Sequence, residues 1–420
     1  MILILGIVLV FCNASAAQEP SGAEPIQVQI RHGKHTRAPK TKVLFQVAPG
    51  SSCGQLLELV QSDLMVSGQC EVTIDTGSCP STVAGIKAFA NSYPFVLFAS
   101  TNSGPSVLEG RLYEAVDATM LCGKKWQARA LQWQWAHKIA QDLWQDLMGT
   151  RGSFLSRIAY IKRERKFGSR WGSNLWVTDW LGHDPVMVTH GRRMVVAPCW
   201  SKQQQGMILF YSEFTRRNVR LLATDVQGKI WPVIDSDGTN YGVSCRHDGQ
   251  EVVYCHSGQI WKSFYDSAQK KSTHKLLVED GGTCASPSLM ASGDVLYCAG
   301  GKLKIWRAAL AKSEAVCCQG FCTGPSWHEG RGQIVYAKRV GGNMQLWVYD
   351  MKRGTDEQLT SGPGDKIDPS WSPCGSFVTY CLDKGKESEI MVLHVGTKFI
   401  RRISPEGEHC SCPAWSPWTE

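Results

Sequence analysis

Short apolar stretches that end in a tyrosine recur along the second part of the chain. Their apolar and β-branched residues are typical of half-buried β-strands. The tyrosines are separated by 51, 43, 43, 39 and 44 residues. A period near ~43 residues is typical of the four-stranded blade of a β-propeller. The six tyrosines are Tyr160, Tyr211, Tyr254, Tyr297, Tyr336 and Tyr380.

A tight turn precedes most of these strands. Its clearest form is residues 368–375, followed by a strand at 377–381. Pro373 fixes φ and Gly375 accepts a positive φ, so the chain can reverse there. The Trp position of this turn recurs with the same period, at Trp200, Cys245, Leu289, Trp327, Trp371 and Trp415.

Each repeat also predicts a third strand and a more polar fourth strand. The fourth strand is clearest at residues 357–360 and 399–403. An ordinary β-sandwich is the alternative, but sandwiches do not impose a fixed period. The third strands are predicted at residues 174–177, 219–222, 259–261, 304–306, 345–349 and 389–392.

The two series are out of phase at the ends of the repeat region. The first tyrosine strand, residues 157–160, has no Trp-type turn before it, and the last Trp-type strand, residues 412–416, has no tyrosine strand after it. We therefore expect the C-terminal strand to complete the first blade. This predicts a closed six-bladed β-propeller with short, protected edges, over residues 153–420.

The preceding residues, 26–152, mix strand and helix patterns and predict a small α/β domain. Residues 127–148 give the strongest helical pattern, with an apolar stripe that includes Trp133, Ala140 and Trp144. A second helix is expected at 54–67. Strands are predicted at residues 26–30, 42–47, 94–99 and 110–116.

The N-terminus has the pattern of a signal peptide at residues 1–17. An apolar run at 2–11, too short for a membrane-spanning helix, precedes small residues at Ala14 and Ala16. Cys12 is a candidate for the lipid-attachment cysteine of a lipoprotein, but the bulky Phe11 before it argues against lipid attachment. Residues 18–25 are polar and are expected to be mobile. Sixteen cysteines after Cys12 also fit an oxidising compartment, so we expect export and no membrane-spanning segment.

Charge and metal-ligand patterns add little. Lys and Arg number 45 against 37 Asp and Glu, a mild excess of +8 with no aromatic and basic platform for nucleic acid. Three groups invite a metal interpretation: Cys317 and Cys318 with Cys322, Cys410 and Cys412 beside His409, and the turn at 235–240. The first two lack finger spacing and the third lacks the distal glutamate of an EF-hand. We predict no metal and no cofactor.

Residues at the boundary between the two regions carry a family resemblance. Ala136–His137–Lys138–Ile139, Gly149–Thr150–Arg151–Gly152, Phe154 and the strand at 157–160, together with the terminal Pro413–Ala414–Trp415–Ser416–Pro417, resemble the TolB family of periplasmic β-propeller proteins. That family repeats a P-x-W-S-P-D-G turn. This chain departs from it at 243–249, at 288–293 and at Cys374, which replaces the usual Asp.

The resemblance implies a non-enzymatic, monomeric adaptor that supports outer-membrane integrity and cell division. Its propeller would receive a Pal-like peptidoglycan-associated lipoprotein at positions matching Thr239, Gly242 and Ala285, which we extend by geometry to Tyr241, Ile367 and Asp368. Its N-terminal segment would bind a TolA-like inner-membrane protein. The segment residues are Gln18, Glu19, Pro20, Glu24 and Ile26.

A propeller-capped serine peptidase, or another propeller hydrolase, is the alternative. Residues 50–54 match the G-x-S-x-G nucleophile elbow with Ser52 at its centre, between a predicted strand and a predicted helix. The first domain looks too small for a hydrolase, however, and prolyl oligopeptidases carry their serine after the propeller. Cys53 beside it is expected to form a disulfide. His137 is expected to be a packed core histidine rather than a base.

Overall fold

A five-stranded sheet of mixed direction forms the N-terminal part of the described chain. The computed structural model describes residues 40–101, 107–127, 133–165, 171–191, 193–203, 206–245, 251–266, 271–280, 282–316 and 319–418. In this sheet β1 lies parallel to both β2 and β3, and the remaining pairs are antiparallel, in the order β2-β1-β3-β4-β5. The strands are β1 (Thr41–Val47), β2 (Cys70–Thr76), β3 (Phe95–Ser100), β4 (Val107–Glu114) and β5 (Thr119–Gln127).

Three helices cover the two faces of this sheet. They are α1 (Gly54–Val66), α2 (Val83–Lys87) and α3 (Trp133–Met148). Alternate residues of β1 serve different faces, as the period of two requires. Val43 and Phe45 pack in the core that contains α1 and α3, while Leu44 packs with Ile86 of α2.

The structure confirms a small N-terminal α/β region, with differences in detail. The predicted helix 127–148 begins too early, because Gln127 is the last residue of β5 and the described helix starts at Trp133. The strands β2 and β5 and the short helix α2 were not predicted. The predicted strand at 26–30, the signal peptide at 1–17 and the segment at 18–25 lie outside the described residues.

Four antiparallel four-stranded sheets follow in chain order, which confirms a propeller-type fold. Each is a simple meander from its innermost to its outermost strand. The sixteen strands are β9 (Val195–Gln203), β10 (Gly206–Phe214), β11 (Val219–Asp225), β12 (Ile230–Ile234); β13 (Asn240–Cys245), β14 (Glu251–His256), β15 (Gln259–Asp266), β16 (Lys271–Val278); β17 (Cys284–Leu289), β18 (Val295–Ala299), β19 (Lys302–Arg307), β20 (Lys312–Ala315); β21 (Cys322–His328), β22 (Gln333–Val340), β23 (Asn343–Asp350) and β24 (Thr355–Gln358).

A single eight-stranded sheet contains both ends of the propeller region. The C-terminal strand β29 pairs with β6, as the out-of-phase series predicts, with Trp415 opposite Ile158. The two halves of this sheet are joined through one parallel residue pair, Ser388 with His409. The strands are β6 (Arg157–Arg165), β7 (Trp171–Asp179), β8 (Val186–Met187), β25 (Asp365–Trp371), β26 (Phe377–Asp383), β27 (Ser388–His394), β28 (Ile400–Arg402) and β29 (His409–Trp415).

The repeated positions occupy equivalent places in these sheets. Every predicted tyrosine lies in the second strand of its group of four and is at most 3% exposed. The Trp-type positions lie in the first strands. The regular period therefore reflects one buried aromatic residue per group of strands, although the structure has four separate sheets and one larger sheet rather than six separate ones.

A chain of aromatic rings joins the α/β region to the eight-stranded sheet. Trp144 of α3 contacts Phe154, which contacts Trp180 after β7, with ring centroids 5.4 and 5.3 Å apart. Trp180 continues to Phe377 at 5.4 Å, and Phe377 to Trp415 at 6.1 Å. Residues 39–420 accordingly form one compact unit, and the domain boundary between residues 152 and 153 stays a prediction.

Within the part of the chain that the structure describes, no helix is long and apolar enough to cross a bilayer.

Candidate functional site

The first strands of the six groups of four contact one another in a closed cycle, β9-β13-β17-β21-β25-β29-β9. Each contains a β-bulge, where its register against the second strand shifts. We call the residue with positive φ at each bulge the bulge residue. The bulge residues and their φ angles are Ala197 (52°), Gly242 (62°), Ser286 (50°), Gly324 (58°), Asp368 (52°) and Cys412 (50°).

The bulge places a conformation that side chains disfavour at the same point of every innermost strand. Four of the six bulge residues are not glycine, and each such conformation costs on the order of 1–3 kcal/mol. In five strands the next residue is proline, which has no N–H to offer the ladder and is tolerated at a bulge. The five are Pro198, Pro287, Pro325, Pro369 and Pro413; Val243 stands in the sixth strand.

The structure brings five of the six predicted docking residues to this ring of bulges. Gly242 and Asp368 are bulge residues themselves. Tyr241, Ala285 and Ile367 each come directly before a bulge residue, and all three are half-buried. These five residues thus occupy two positions of the innermost strands, the bulge residue and the residue before it, in β13, β17 and β25.

Thr239 lies apart from the bulges, in the loop that leads into β13. Its side chain is exposed, and its carbonyl accepts a hydrogen bond from Ser257 N–H at 3.0 Å. The predicted residues of the N-terminal segment, 18–26, lie outside the described residues.

Neighbouring innermost strands touch closely at the bulges. A Cβ on Gly242 would lie 3.6 Å from Cδ of Pro287, and one on Gly324 would lie 3.5 Å from Cδ of Pro369. The hydroxyl of Tyr241 donates to the carbonyl of Cys284 in the next strand at 3.4 Å. Neighbouring innermost strands are therefore in van der Waals contact at these bulges, and one hydrogen bond joins two of them.

Asp368 carries the ring's one carboxylate among the bulge residues. Burial raises the pKa of this carboxyl, and a hydrogen bond with the Cys412 thiol offsets part of the rise. Burial and the neighbouring Asp368 raise the pKa of Cys412 to about 12, so the thiol keeps its proton at neutral pH. Two adjacent bulge residues are thus linked by a thiol–carboxylate contact.

A second polar cluster lies where α3 meets the turn after β7. His137 of α3 is 4% exposed, and its Nδ1 lies 2.8 Å from Oδ2 of Asp63 in α1. Its Nε2 lies 3.2 Å from Oδ2 of Asp179, which in turn lies 3.4 Å from Nδ1 of His183. The indole of Trp133 stacks on the His183 ring with centroids 3.4 Å apart.

The charges in this cluster perturb one another. Burial lowers the pKa of His137, but the carboxylates of Asp63 and Asp179 outweigh it and raise that pKa to about 9. Burial raises the pKa of Asp63. Burial also acts to raise the pKa of Asp179, but the two histidine rings lower it by more. The prediction that His137 is a packed core residue is confirmed, and its partners are charged.

The serine of the hydrolase alternative lies where the sequence predicts, in the loop between β1 and α1. Ser52 is exposed, and its N–H donates to Oγ1 of Thr101 at 3.2 Å. Across the described residues no histidine hydrogen-bonds to Ser52, so no base is assembled beside it there. The expected disulfide at Cys53 is wrong, because this buried cysteine is free.

Of the metal groups that the sequence suggests, those within the described residues do not bring three ligand atoms together. Asp235 and Asp237 lie beside arginines instead, with Arg220 at 3.7 Å and Arg217 at 2.8 Å respectively. Cys317 and Cys318 fall outside the described residues. Among the residues that the structure does describe, His137, Asp179 and His183 form the one group of side chains that could hold a metal.

Sequence reasoning missed two pairs of contacts. Asp179 and His183 are four residues apart around a turn, which is a weak local signal, and nothing in the sequence links them to His137. Cys199 and Cys245 occupy β9 and β13, with their sulfur atoms 3.5 Å apart. The repeat placed both cysteines on innermost strands but gave no reason to pair them.

Comparisons with known proteins agree with this architecture. The family described as "TolB beta propeller domain" matches residues 144–419. Among solved structures, the crystal structure of TolB from Acinetobacter baumannii superposes with a TM-score of 0.76 at 20% identity, covering 91% of this chain and 98% of that one. At that identity the likeness concerns the fold.

Curated relatives match over part of their length. The Tol-Pal system protein TolB of Thiobacillus denitrificans is 28% identical over 184 residues, 42% of each chain. That of Methylococcus capsulatus is 26% identical over 224 residues, 51% of this chain and 52% of the relative. The chain thus spans about two-fifths to a half of these relatives. Since the family match covers well over half of the sequence, the chain belongs to the TolB β-propeller family.

Proposed function

We propose that this protein is a non-enzymatic, periplasmic docking component of a Tol–Pal system. It binds a Pal-like peptidoglycan-associated lipoprotein at the ring of bulges and a TolA-like inner-membrane protein through its N-terminal segment. In this role it supports outer-membrane integrity and cell division. The observation that carries the proposal is the family match over residues 144–419, together with relatives that are named Tol-Pal system proteins.

The proposal includes a six-bladed ring. The eight-stranded sheet divides into two groups of four at the single residue pair Ser388 with His409, and the first strands of all six groups contact in a closed cycle. Equivalent bulges in these six strands support the same count. A ring of this kind presents its loops on a rigid frame, so a partner meets little ordering cost.

The docking surface for the lipoprotein comprises Thr239, Tyr241, Gly242 and Ala285, with Ile367 and Asp368 further around the ring. Exposed Thr239 offers a hydroxyl, and the half-buried residues offer small or apolar contact area close to the bulges. The backbone at these positions is fixed by its neighbours, which favours a partner that fits by shape.

The N-terminal segment is a separate site in this proposal. Gln18, Glu19, Pro20, Glu24 and Ile26 belong to a polar stretch after the proposed signal peptide, 1–17. Such a segment binds by folding on its partner, which costs conformational entropy and gives a weaker and more easily switched contact. The remaining chain comprises a domain at 26–152 and the propeller at 153–420, acting as a monomer.

Substitution of Ala285 by arginine tests the lipoprotein surface. The tagged protein is incubated with the recombinant Pal-like lipoprotein encoded in the same genome, without its lipid anchor, and capture is quantified. Ala285→Arg and Thr239→Arg are expected to lower capture at least tenfold, because a long charged side chain displaces the partner. Undiminished capture by both variants would refute this surface.

Matched controls use the same substitutions on outermost strands. Ala315→Arg changes an exposed alanine of β20, in the same sheet as Ala285, and Thr355→Arg changes an exposed threonine of β24. Both controls should capture the lipoprotein like the unchanged protein. Melting temperatures of all four variants show whether any loss of capture comes from unfolding.

Deletion of residues 18–26 tests the second site. We expect loss of binding to the periplasmic domain of the TolA-like protein, with capture of the lipoprotein unchanged. Equal loss of both partners would contradict two separate sites. Mass spectrometry of proteins that co-purify from envelope extracts identifies which partners the full chain holds.

A further inference from the structure

Three side chains at the junction of α3 and β7 direct unpartnered atoms at one another. The atoms are Nε2 of His137, Oδ2 of Asp179 and Nδ1 of His183, and all lie within 4.8 Å of one another. Each atom is buried and lacks a well-formed hydrogen bond within the described chain, and Oδ2 of Asp179 makes only ion-pair contacts with the two histidine nitrogens. Buried polar atoms without partners are costly, so an arrangement of three that converge points to a ligand between them.

We propose that His137, Asp179 and His183 bind a Zn²⁺ ion that fastens helix α3 to the propeller region. Imidazole nitrogen and carboxylate oxygen are common zinc ligands, and sites with three protein ligands leave a fourth position for water. This inference does not depend on the proposed docking function, and it differs from the sequence-based expectation that no metal is bound.

The observed distances fit tetrahedral coordination. Zinc bonds of about 2.0–2.2 Å to nitrogen and oxygen place neighbouring ligand atoms about 3.3–3.5 Å apart. Nε2 of His137 lies 3.2 Å from Oδ2 of Asp179, and Nδ1 of His183 lies 3.4 Å from the same oxygen. All three atoms lie within 4.8 Å of one another, so one ion can contact all of them after adjustment of the side chains.

Asp63 is not one of the three proposed ligands but contacts the ligand His137 through its other ring nitrogen. Its Oδ2 lies 2.8 Å from Nδ1 of His137, so a metal ion that displaces the Nε2 proton would leave the other proton on Nδ1, donated to Asp63. A carboxylate behind a histidine ligand is a recurrent support in zinc sites. Asp63 and Asp179 also supply two buried negative charges, which a divalent cation balances.

The remaining ligand, His183, is held by stacking. Trp133 of α3 lies parallel to its ring, with an interplanar angle of 10°, so the helix that carries His137 also orients His183. The side chains of Asp179 and His183 are 15% and 19% exposed, so the site lies close to the protein surface although its ligand atoms are buried.

Cobalt substitution tests the site in the full chain. Protein freed of metal with EDTA is titrated with Co²⁺, whose visible absorption reports coordination geometry. The expected result is one equivalent of Co²⁺ with the intense bands of a four- or five-coordinate nitrogen and oxygen site, displaced by Zn²⁺. His183→Gln should weaken Zn²⁺ binding on the order of 100-fold, and Asp63→Asn about 10- to 100-fold. The matched control, His190→Gln at an exposed histidine, should bind like the unchanged protein.

Cysteines elsewhere in the chain make a second measurement necessary. X-ray absorption at the zinc edge of the unchanged protein should show imidazole scattering and no sulfur shell, a result that needs no variant to fold. A sulfur shell would overturn the proposal. So would equal metal uptake by His183→Gln and the unchanged protein, or no uptake by the unchanged protein.

Discussion

The indole N–H of Trp415 donates to the hydroxyl of Ser156 at 2.6 Å, which joins the final strand to the start of the propeller region across 259 positions. Beside it, the N–H of Ser416 donates to the carbonyl of Arg157 at 2.8 Å, and the N–H of Arg157 donates to the Ser416 hydroxyl at 2.9 Å. The two ends of the propeller are thus held by side-chain and backbone hydrogen bonds as well as by the strand ladder.

Replacing Trp415 by alanine is expected to destabilise the protein by about 3–5 kcal/mol, since it empties a buried aromatic site and leaves Ser156 without its donor. Urea unfolding monitored by circular dichroism measures the change. Trp231→Ala, on the outermost strand β12 where the ring is only half-buried, should cost clearly less. Similar losses for both variants would argue against a special role for the closing strand.

Cys199 and Cys245 should form a disulfide between neighbouring innermost strands when an oxidant is supplied. The hydrogen bond from Cys245 lowers the pKa of Cys199, which favours its thiolate. In the reaction the two thiols lose two protons and two electrons, and oxidised glutathione is reduced to two thiols. Closing a loop of 46 residues would stabilise the fold by about 4 kcal/mol.

Mass spectrometry of the unreduced digest detects this cross-link, and Cys199→Ser is the control that cannot form it. Cys381 and Cys410 offer a comparison for this pair. The Cys381 thiol donates to the carbonyl of Cys410 at 3.5 Å rather than to its sulfur. Full alkylation of both Cys199 and Cys245 after oxidation would contradict the prediction.

Asp368→Asn should stabilise the protein increasingly as the pH rises. Burial raises the pKa of Asp368, so the folded state favours the protonated carboxyl. The stability that this form contributes is present below the unfolded pKa near 4 and is lost as the pH rises through the folded pKa. The variant does not titrate and escapes this loss.

Melting temperatures at pH 4 and pH 8 check the sign. The gain over the unchanged protein should be larger at pH 8, while Asp237→Asn, at an exposed carboxylate, should show no such trend. If Asp368 also contacts the lipoprotein, the same variant should bind it less well while being more stable. If Asp368→Asn were less stable than the unchanged protein at pH 8, burial of the charged carboxylate would not be destabilising.

His394→Gln should remove part of the acid sensitivity of the fold. Burial, with help from the charges of Arg331 and Lys398, lowers the pKa of His394 to about 4. The Nδ1 atom of this buried ring accepts a hydrogen bond from Thr397 N–H at 3.0 Å, and its Nε2 lies 3.0 Å from the Gln69 amide nitrogen of the α/β region.

The stability that neutral His394 contributes is present above the unfolded pKa of about 6.5 and is lost as the pH falls towards 4, by about 2 kcal/mol at pH 5. Urea unfolding at pH 7 and pH 5 should show this loss in the unchanged protein and a smaller loss in His394→Gln. His190→Gln, at an exposed histidine, should keep the full dependence. Identical pH profiles for all three proteins would contradict the assignment.

The repeat made the strands of the propeller predictable, because each group places one tyrosine at the same buried position. The out-of-phase ends likewise predicted that β29 pairs with β6. In the α/β region the strand and helix patterns overlap. Gln127 fits the helical pattern predicted for residues 127–148 but is the last residue of strand β5. Tertiary pairing, rather than intrinsic helix propensity, decides which pattern wins there.

Contacts between distant residues could not be predicted in the same way. His137 was recognised as a core residue from its place on α3, but its neighbours come from two other segments, Asp63 from α1 and Asp179 and His183 from the end of β7 and the turn after it. For Cys53 the number of cysteines led to the wrong prediction of a disulfide, because that number does not tell which thiols face each other. The bulge conformation itself was not predicted, because Ala197, Ser286 and Cys412 carry no sequence signal for a positive φ.

The pairing of β29 with β6 sets the order in which the protein can be completed. Ribosomal synthesis produces β6 early, and more than 240 residues separate it from the strand that covers its edge. Until β29 emerges, the edge of β6 is open to other strands, including those of neighbouring copies. A chain that lacks β29 is therefore prone to aggregate, and the pairing of β29 with β6 is the event that covers this edge.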